Sequence, residues 1–314
     1  MQDRSRRLRT LRVFNSIHTP VPYPFKPPVG ESVGVAGIDS SSGIFIGYLE
    51  LSKEGHPIKK CGLICHHLVR PCLFGISPAS HLAPITEDVG KYIKVQYPSS
   101  RDHLAELVLL DQKITHVKNL QRQHGSSKSI VERLKRYQVE KDWTISANRD
   151  IGTILASSGI AISNDENYRL DWALIDLYPG RAGTNTVKPP LFGHRETIGP
   201  QHPPVYLARE ALYSELGYIN PVRSCVYDRD ASQGAPQETR TKEWAVVGGT
   251  TKDIIKGDPG ILVRELETNK AIGVVWGGNN IMGTTYFTPL DVIAKSIREK
   301  TGYSARFLDS EEDA

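Results

Sequence analysis

Hydrophobic and polar positions alternate along much of this chain with the period of two that marks a half-buried strand. SVGVAG (32–37) and GIFIGYLEL (43–51) flank a serine-glycine turn and predict a hairpin. KKCGLICHHLVRP (59–71) reads as an apolar strand ending in two histidines and a proline, and KYIKVQYP (91–98) as a further alternating strand. The same texture recurs in DIGTILASSGI (150–160), YRLDWALIDL (168–177), VRSCVYDRD (222–230) and KEWAVVGG (242–249). Three more strands are predicted in KGDPGILV (256–263), AIGVVWGG (271–278) and TTYFTPLDVI (284–293), the last running into a helix. The stretch 203–219 mixes both textures and carries no firm assignment.

The period changes in one long stretch. Between 103 and 123 the apolar residues Leu107, Leu110, Ile114, Val117 and Leu120 recur every three or four positions. GSSKS (125–129) interrupts that pattern, and Ile130, Leu134 and Tyr137 resume it over 130–143. A helical hairpin inserted into a β domain is expected. A last helix is predicted over 290–303, ahead of the acidic end DSEEDA (309–314).

Composition narrows the class. At 314 residues the chain can bury one large core or two medium ones. With 27 glycines and 20 prolines, it suits short strands and turns better than a helical bundle. The net charge of +4 is too mild to argue for nucleic acid by itself. The hairpin differs: between Lys113 and Lys141 it holds eight Lys/Arg against two acids, a face suited to nucleic acid, to acidic lipid or simply to solvent. No apolar run has the ~18–20 residues of a membrane helix. The first twenty residues hold five arginines and no apolar block, unlike a secretory signal, and Asp3 and the nearby prolines weaken a mitochondrial presequence. Cys61, Cys65, Cys72 and Cys225 are expected as free thiols in an intracellular, cytoplasmic protein.

The candidate chemistry lies in three places. LICHHLV (63–69) ends a strand on His66 and His67, LDWALIDL (170–177) opens a buried strand at Asp171, and GDPG (257–260) is a tight turn feeding Ile261, Leu262 and Val263. In this order they resemble the histidine, aspartate and nucleophile motifs of the trypsin-like (chymotrypsin-fold) serine peptidases. The phrases CHH, DWALI and TYFTP are similar to those of intracellular trypsin-like proteins of filamentous fungi. The resemblance covers roughly residues 31–297. It implies a mainly β fold of two antiparallel barrels, with His67 as the base, Asp171 as its orienting acid and the 104-residue separation stretched by the helical insertion. The nucleophile position falls on Pro259. A proline has neither the hydroxyl that attacks nor the N–H that holds the oxyanion, so only the Gly257 amide would remain as a donor.

VVWGG (274–278) resembles the strand that pairs with a bound peptide in this family. Trp276 and Gly277 match, Val275 departs from the usual serine, and Gly277 and Gly278 leave room for a side chain to enter the specificity pocket. Strand addition of an extended peptide is the implied binding mode, with packing in the core as the plainer role for Trp276. The implied organisation is a basic, proline-rich tail (1–30), a first barrel (31–178) with the insertion at about 101–145, and a connection (179–204). A second barrel (205–297) and a helix end with acidic tail (298–314) complete it.

No cofactor or metal is expected. Cys61, Cys65, His66, His67 and Cys72 cluster within twelve residues, but their spacing matches no zinc finger and alternation on a strand would split them. Three functions stay open. The first is an inactive peptidase homologue that binds a protein or peptide. The second is a hydrolase with a surrogate nucleophile among Ser157, Ser158, Ser224 and Cys225. The third is a polyanion binder using the basic tail and hairpin.

Overall fold

The computed structural model describes residues 23–39, 41–73, 84–187, 204–208, 215–229, 238–248, 259–279 and 281–308. The first lobe contains β1 (Ser32–Val35), β2 (Gly43–Ile44), β3 (Gly47–Ser52), β4 (Lys59–Ile64), the short helix α1 (Glu87–Gly90) and β5 (Lys94–Gln96). It continues through α2 (Ser100–His124), α3 (Lys128–Ser146), β6 (Asp150–Ser157), β7 (Ala161–Ile162), β8 (Arg169–Leu170) and β9 (Ala173–Leu177). The second lobe holds β10 (Pro204–Ala208), β11 (Glu215–Ile219), β12 (Ser224–Arg229), β13 (Glu238–Gly248), β14 (Leu262–Glu265), β15 (Ala271–Asn279) and β16 (Thr284–Pro289). After it come α4 (Leu290–Thr301) and β17 (Ser304–Phe307).

Apolar residues on alternate strand positions close each lobe around its own core. The first sheet runs β17-β3-β4-β9-β6-β5-β1-β2, all antiparallel, and forms a half-barrel. In the second lobe the order β11-β10-β14-β15-β16-β13 closes on itself through the β11–β13 pairing, giving a six-stranded barrel with β12 as an extra arm. One apolar cluster lies inside the first lobe around Phe45, Ile64, Val95 and Ile175, and another inside the second around Val205, Val246 and Val263. A third joins the lobes, packing Leu63, Leu174 and Trp172 with Leu262, Val274, Ile293 and Ile297.

The inserted hairpin leaves between β5 and β6. Its base is pinned where Tyr97 N donates to Arg149 O at 2.9 Å and Arg149 Nη1 donates to Pro98 O at 3.0 Å. Ser99 and Ser127 cap the two helices by accepting from the amides of Asp102 and Ile130. Leu110, Ile114 and Val117 are buried as their period predicts, whereas Ile130, Leu134 and Tyr137 on α3 are only half-buried. The apolar stripe of α3 is narrow, and little of this helix is buried.

Two strand pairs lay beyond the reach of sequence patterns. The mixed stretch 203–219 forms β10 and β11, an antiparallel pair with Val205 opposite Gly217. β17 follows the left-handed cap of α4 at Gly302 (φ 74°) and pairs with β3 of the first lobe, Ala305 opposite Leu51. The end of the N-terminal tail straps the first lobe: Tyr48 Oη donates to Pro27 O at 2.7 Å and Arg181 Nη1 to Phe25 O at 2.7 Å. The arginine-rich start and the acidic end lie outside the described residues. Among those residues no helix is long and apolar enough to cross a membrane.

Candidate functional site

The site grows from the end of β4. Cys65 keeps the extended conformation (φ −76°, ψ 143°), and the chain then tightens into a 3₁₀ turn over His66–Leu68. That turn sends the two histidine rings apart. His66 enters the core, fully buried, with Nδ1 3.0 Å from the Ser157 hydroxyl. His67 stays at the surface with 35% of its side chain exposed.

Asp171 occupies the link between β8 and β9 and faces the same turn. Its backbone oxygen accepts the His66 amide at 3.1 Å, and Oδ1 accepts the His67 amide at 2.8 Å. Oδ2 lies 2.7 Å from His67 Nδ1. The carboxylate thus fixes both the backbone and the ring of His67, which leaves Nε2 as the free ring nitrogen. Burial opposes the charge on Asp171, but the His67 ring, its two hydrogen bonds and Arg169 outweigh it and hold the carboxyl below its usual range. Burial likewise opposes a charged His67. The Asp171 charge and hydrogen bond prevail over it, and over Arg169 and Arg70, to lift the imidazole above its usual value.

The 259–260 turn comes from the second lobe and packs against the same strand end. Gly260 has φ +100°, a conformation that favours glycine, and its amide donates to Val275 O at 2.7 Å. A Cβ there would stand 3.1 Å from Ile44 Cβ and 3.6 Å from Cys65 Sγ. Pro259, half-buried beside it, therefore sits on a turn seated against the residue two before His67. Gly257, the expected oxyanion donor, lies outside the described residues.

The four expected groove residues lie together on β15. Val275 is fully buried, and its amide donates to Ile261 O at 2.9 Å. Trp276 bulges out of the ladder with β16, half-buried, its ring stacked on Tyr286 (5.7 Å between centroids, 25° between planes). The Arg169 guanidinium lies over the same indole at 4.8 Å. A Cβ on Gly277 would meet nothing within 4 Å, while one on Gly278 would approach Thr284 O to 2.7 Å. β14 pairs with β15 only up to Val274, so from Trp276 to Asn279 the strand is paired with β16 alone among the described residues. Among the described residues, one edge of β15 is therefore without a partner strand from Trp276 to Asn279.

Sequence patterns assigned no role in the site to Arg169 or Glu243, whose meeting joins β8 to β13. Arg169 bridges the acid and the groove. Glu243, fully buried on β13, accepts the Arg169 amide at 2.8 Å; burial pushes its carboxyl up to about 7, against the pull of that amide. Cys65 adds a thiol next to the dyad, and burial pushes it well above the usual thiol range. One donor atom each from Cys65, His67 and Asp171 lies within 4.8 Å of the others, so these three are the residues of the site with metal-ligand chemistry.

Comparisons with known proteins match at the level of structure alone. A glutamic-acid-specific serine protease, described as using a histidine triad in substrate binding, superposes over 89% of this chain and all of its own with 10% identity and a TM-score of 0.41. Protease A of Thermobifida fusca superposes over 89% of this chain and 98% of its own with 13% identity and a TM-score of 0.36. The fold is mainly β, a half-barrel beside a closed six-stranded barrel. No protein-family model matches the chain, and no curated protein matches it by sequence.

The surrogate nucleophiles weighed from sequence are otherwise occupied or distant. Ser157 Oγ contacts His66 and accepts the Ile85 amide at 2.8 Å, and Ser158 Oγ exchanges hydrogen bonds with Trp172 and Gly159, both serines being buried. Ser224 and Cys225 lie on the β12 arm of the second barrel, where Cys225 is exposed and faces Arg240.

Proposed function

We propose that this chain is a catalytically inactive trypsin-like peptidase homologue that binds an extended peptide along the open edge of β15. Pro259, in the turn against Cys65, carries this reading: the position that the resemblance gives the nucleophile offers no hydroxyl and no N–H. The His67–Asp171 pair supports it from the other side, since the general-base machinery is intact while its proton donor is missing. The loss of a nucleophilic serine in such a unit costs several orders of magnitude in rate. Binding needs none of this chemistry. The Trp276–Asn279 edge, without a partner strand among the described residues, offers backbone groups for strand addition, and the open space at Gly277 admits a side chain.

Fluorophosphonate labelling read by intact-mass spectrometry tests the proposal on the natural protein and on Pro259→Ser. No adduct is expected on the natural protein. An adduct there overturns the inactive assignment, and peptide mapping then names the nucleophile. An adduct confined to Pro259→Ser supports Pro259 as the single lesion in an otherwise poised site.

A further inference from the structure

The α2–α3 hairpin concentrates the positive charge of the molecule. Residues 113–136 hold seven Lys/Arg against the single acid Glu132, a net of +6 in a chain whose total is +4. None of the seven forms an ion pair with a carboxylate among the described residues. The ion pair of this hairpin, Lys141 with Asp111 at 2.6 Å, lies nearer its base. Except for Lys113, the seven side chains are exposed.

The charges are also focused. Lys113 from α2 and Arg133 and Arg136 from α3 gather round one ring, with Lys113 Nζ, Arg133 Cζ and Arg136 Cζ at 5.7, 5.8 and 5.2 Å from the centroid of Tyr137. Glu140, half-buried one turn further on, feels Lys113 and Arg136 but forms no ion pair with them among the described residues. Three like charges held around one ring repel one another, and an anion seated between them relieves that repulsion.

We propose that this hairpin binds the phosphate backbone of a nucleic-acid duplex, centred on Lys113, Arg133, Arg136 and Tyr137. Residues 113–124 of α2 extend about 17 Å, along which a duplex presents roughly ten phosphate charges. The exposed cations therefore meet a matching density of negative charge. An anionic membrane surface fits less well. A helix that lies in a lipid interface presents a row of bulky apolar residues beside its cations, and between 113 and 136 Val131 is the exposed large apolar side chain. This site is separate from the peptide groove and stands whether or not that groove binds.

Fluorescence anisotropy with labelled 24-base-pair DNA and RNA duplexes tests the proposal, using the full chain over a range of salt. Saturable binding is expected at low salt, with the logarithm of the binding constant falling against log[salt] with a slope of about −3, the value for three to four phosphate contacts. The double change Arg133→Glu with Arg136→Glu is expected to weaken binding tenfold or more and to flatten that slope. Both positions are exposed, and an unchanged circular-dichroism spectrum and melting curve confirm the fold. Absence of duplex binding at low salt overturns the proposal. So does binding that the double change leaves undiminished. Retention on phosphatidylcholine–phosphatidylserine vesicles equal to duplex binding overturns it in favour of a lipid surface.

Discussion

At the scale of single residues, the balance around His67 makes a measurable claim. Asp171 raises the imidazole against burial, Arg169 and Arg70, all of which lower it. In Asp171→Asn only the lowering influences remain, so the His67 pKa is expected to fall from above 6.5 to below it, read by NMR titration of the ring. The pair also predicts a stability profile. A raised His67 contributes stability fully below about 6.5 that is lost as pH rises through its folded value. A lowered Asp171 contributes stability above about 3.8 that is lost as pH falls through its own folded value. The natural protein is expected to exceed Asp171→Asn by about 1–3 kcal/mol in mildly acidic buffer, with the gap shrinking toward pH 8. A gap that widens with pH contradicts the pairing. The meeting of His67 with Asp171 was legible because each sits in a short run whose neighbours fix its place at a strand end. Glu243 and Arg169 were not, because their meeting depends on β8 and β13 coming together across 74 positions of chain.

At the scale of elements, the helical hairpin was legible from its period and the strands flanking it from theirs. What the period could not convey was how little of α3 is buried, since that depends on what lies opposite. The pinned base gives the hairpin a structural independence that can be tested. With Tyr97 and Arg149 hydrogen-bonded across it, a short glycine-serine turn replacing residues 101–145 should join β5 to β6 as an ordinary hairpin. That variant is expected to fold, to keep the His67 titration unchanged and to lose duplex binding entirely. Failure to fold would mean that Leu110, Ile114 and Val117 support the β lobe as well as each other. β10, β11 and β17 escaped sequence reading for a related reason. They are four or five residues long, too short for a period to declare itself, and their register is set by neighbours distant in sequence.

At the scale of the whole molecule, the seam between the lobes is a packed core rather than a polar contact between independent domains. Leu63, Leu174 and Trp172 of the first lobe pack with Leu262, Val274 and the α4 residues Ile293 and Ile297. Polar ties lock the same seam: Trp172 Nε1 donates to Ser296 Oγ at 3.1 Å, Thr288 Oγ1 to Arg169 O at 2.6 Å, and Arg264 Nη2 to Asn185 O at 3.0 Å. β17 then carries the chain back from α4 onto β3, with Phe307 packed against the shared cluster and Arg306 paired to Glu50 at 2.6 Å. Exposing either lobe alone would open this shared apolar surface, so neither gains by unfolding first. Calorimetry of the full chain is therefore expected to give one transition, with equal van't Hoff and calorimetric enthalpies. Removing residues 303–314 is expected to lower its midpoint by several degrees while keeping it single. Two separated transitions in the full chain would show that the lobes are only docked. The distinction bears on the proposed groove, because His67 and Asp171 come from one lobe and Pro259 and the β15 edge from the other. A single cooperative unit holds these four in fixed register without a ligand, whereas docked lobes would need the peptide itself to bring them together.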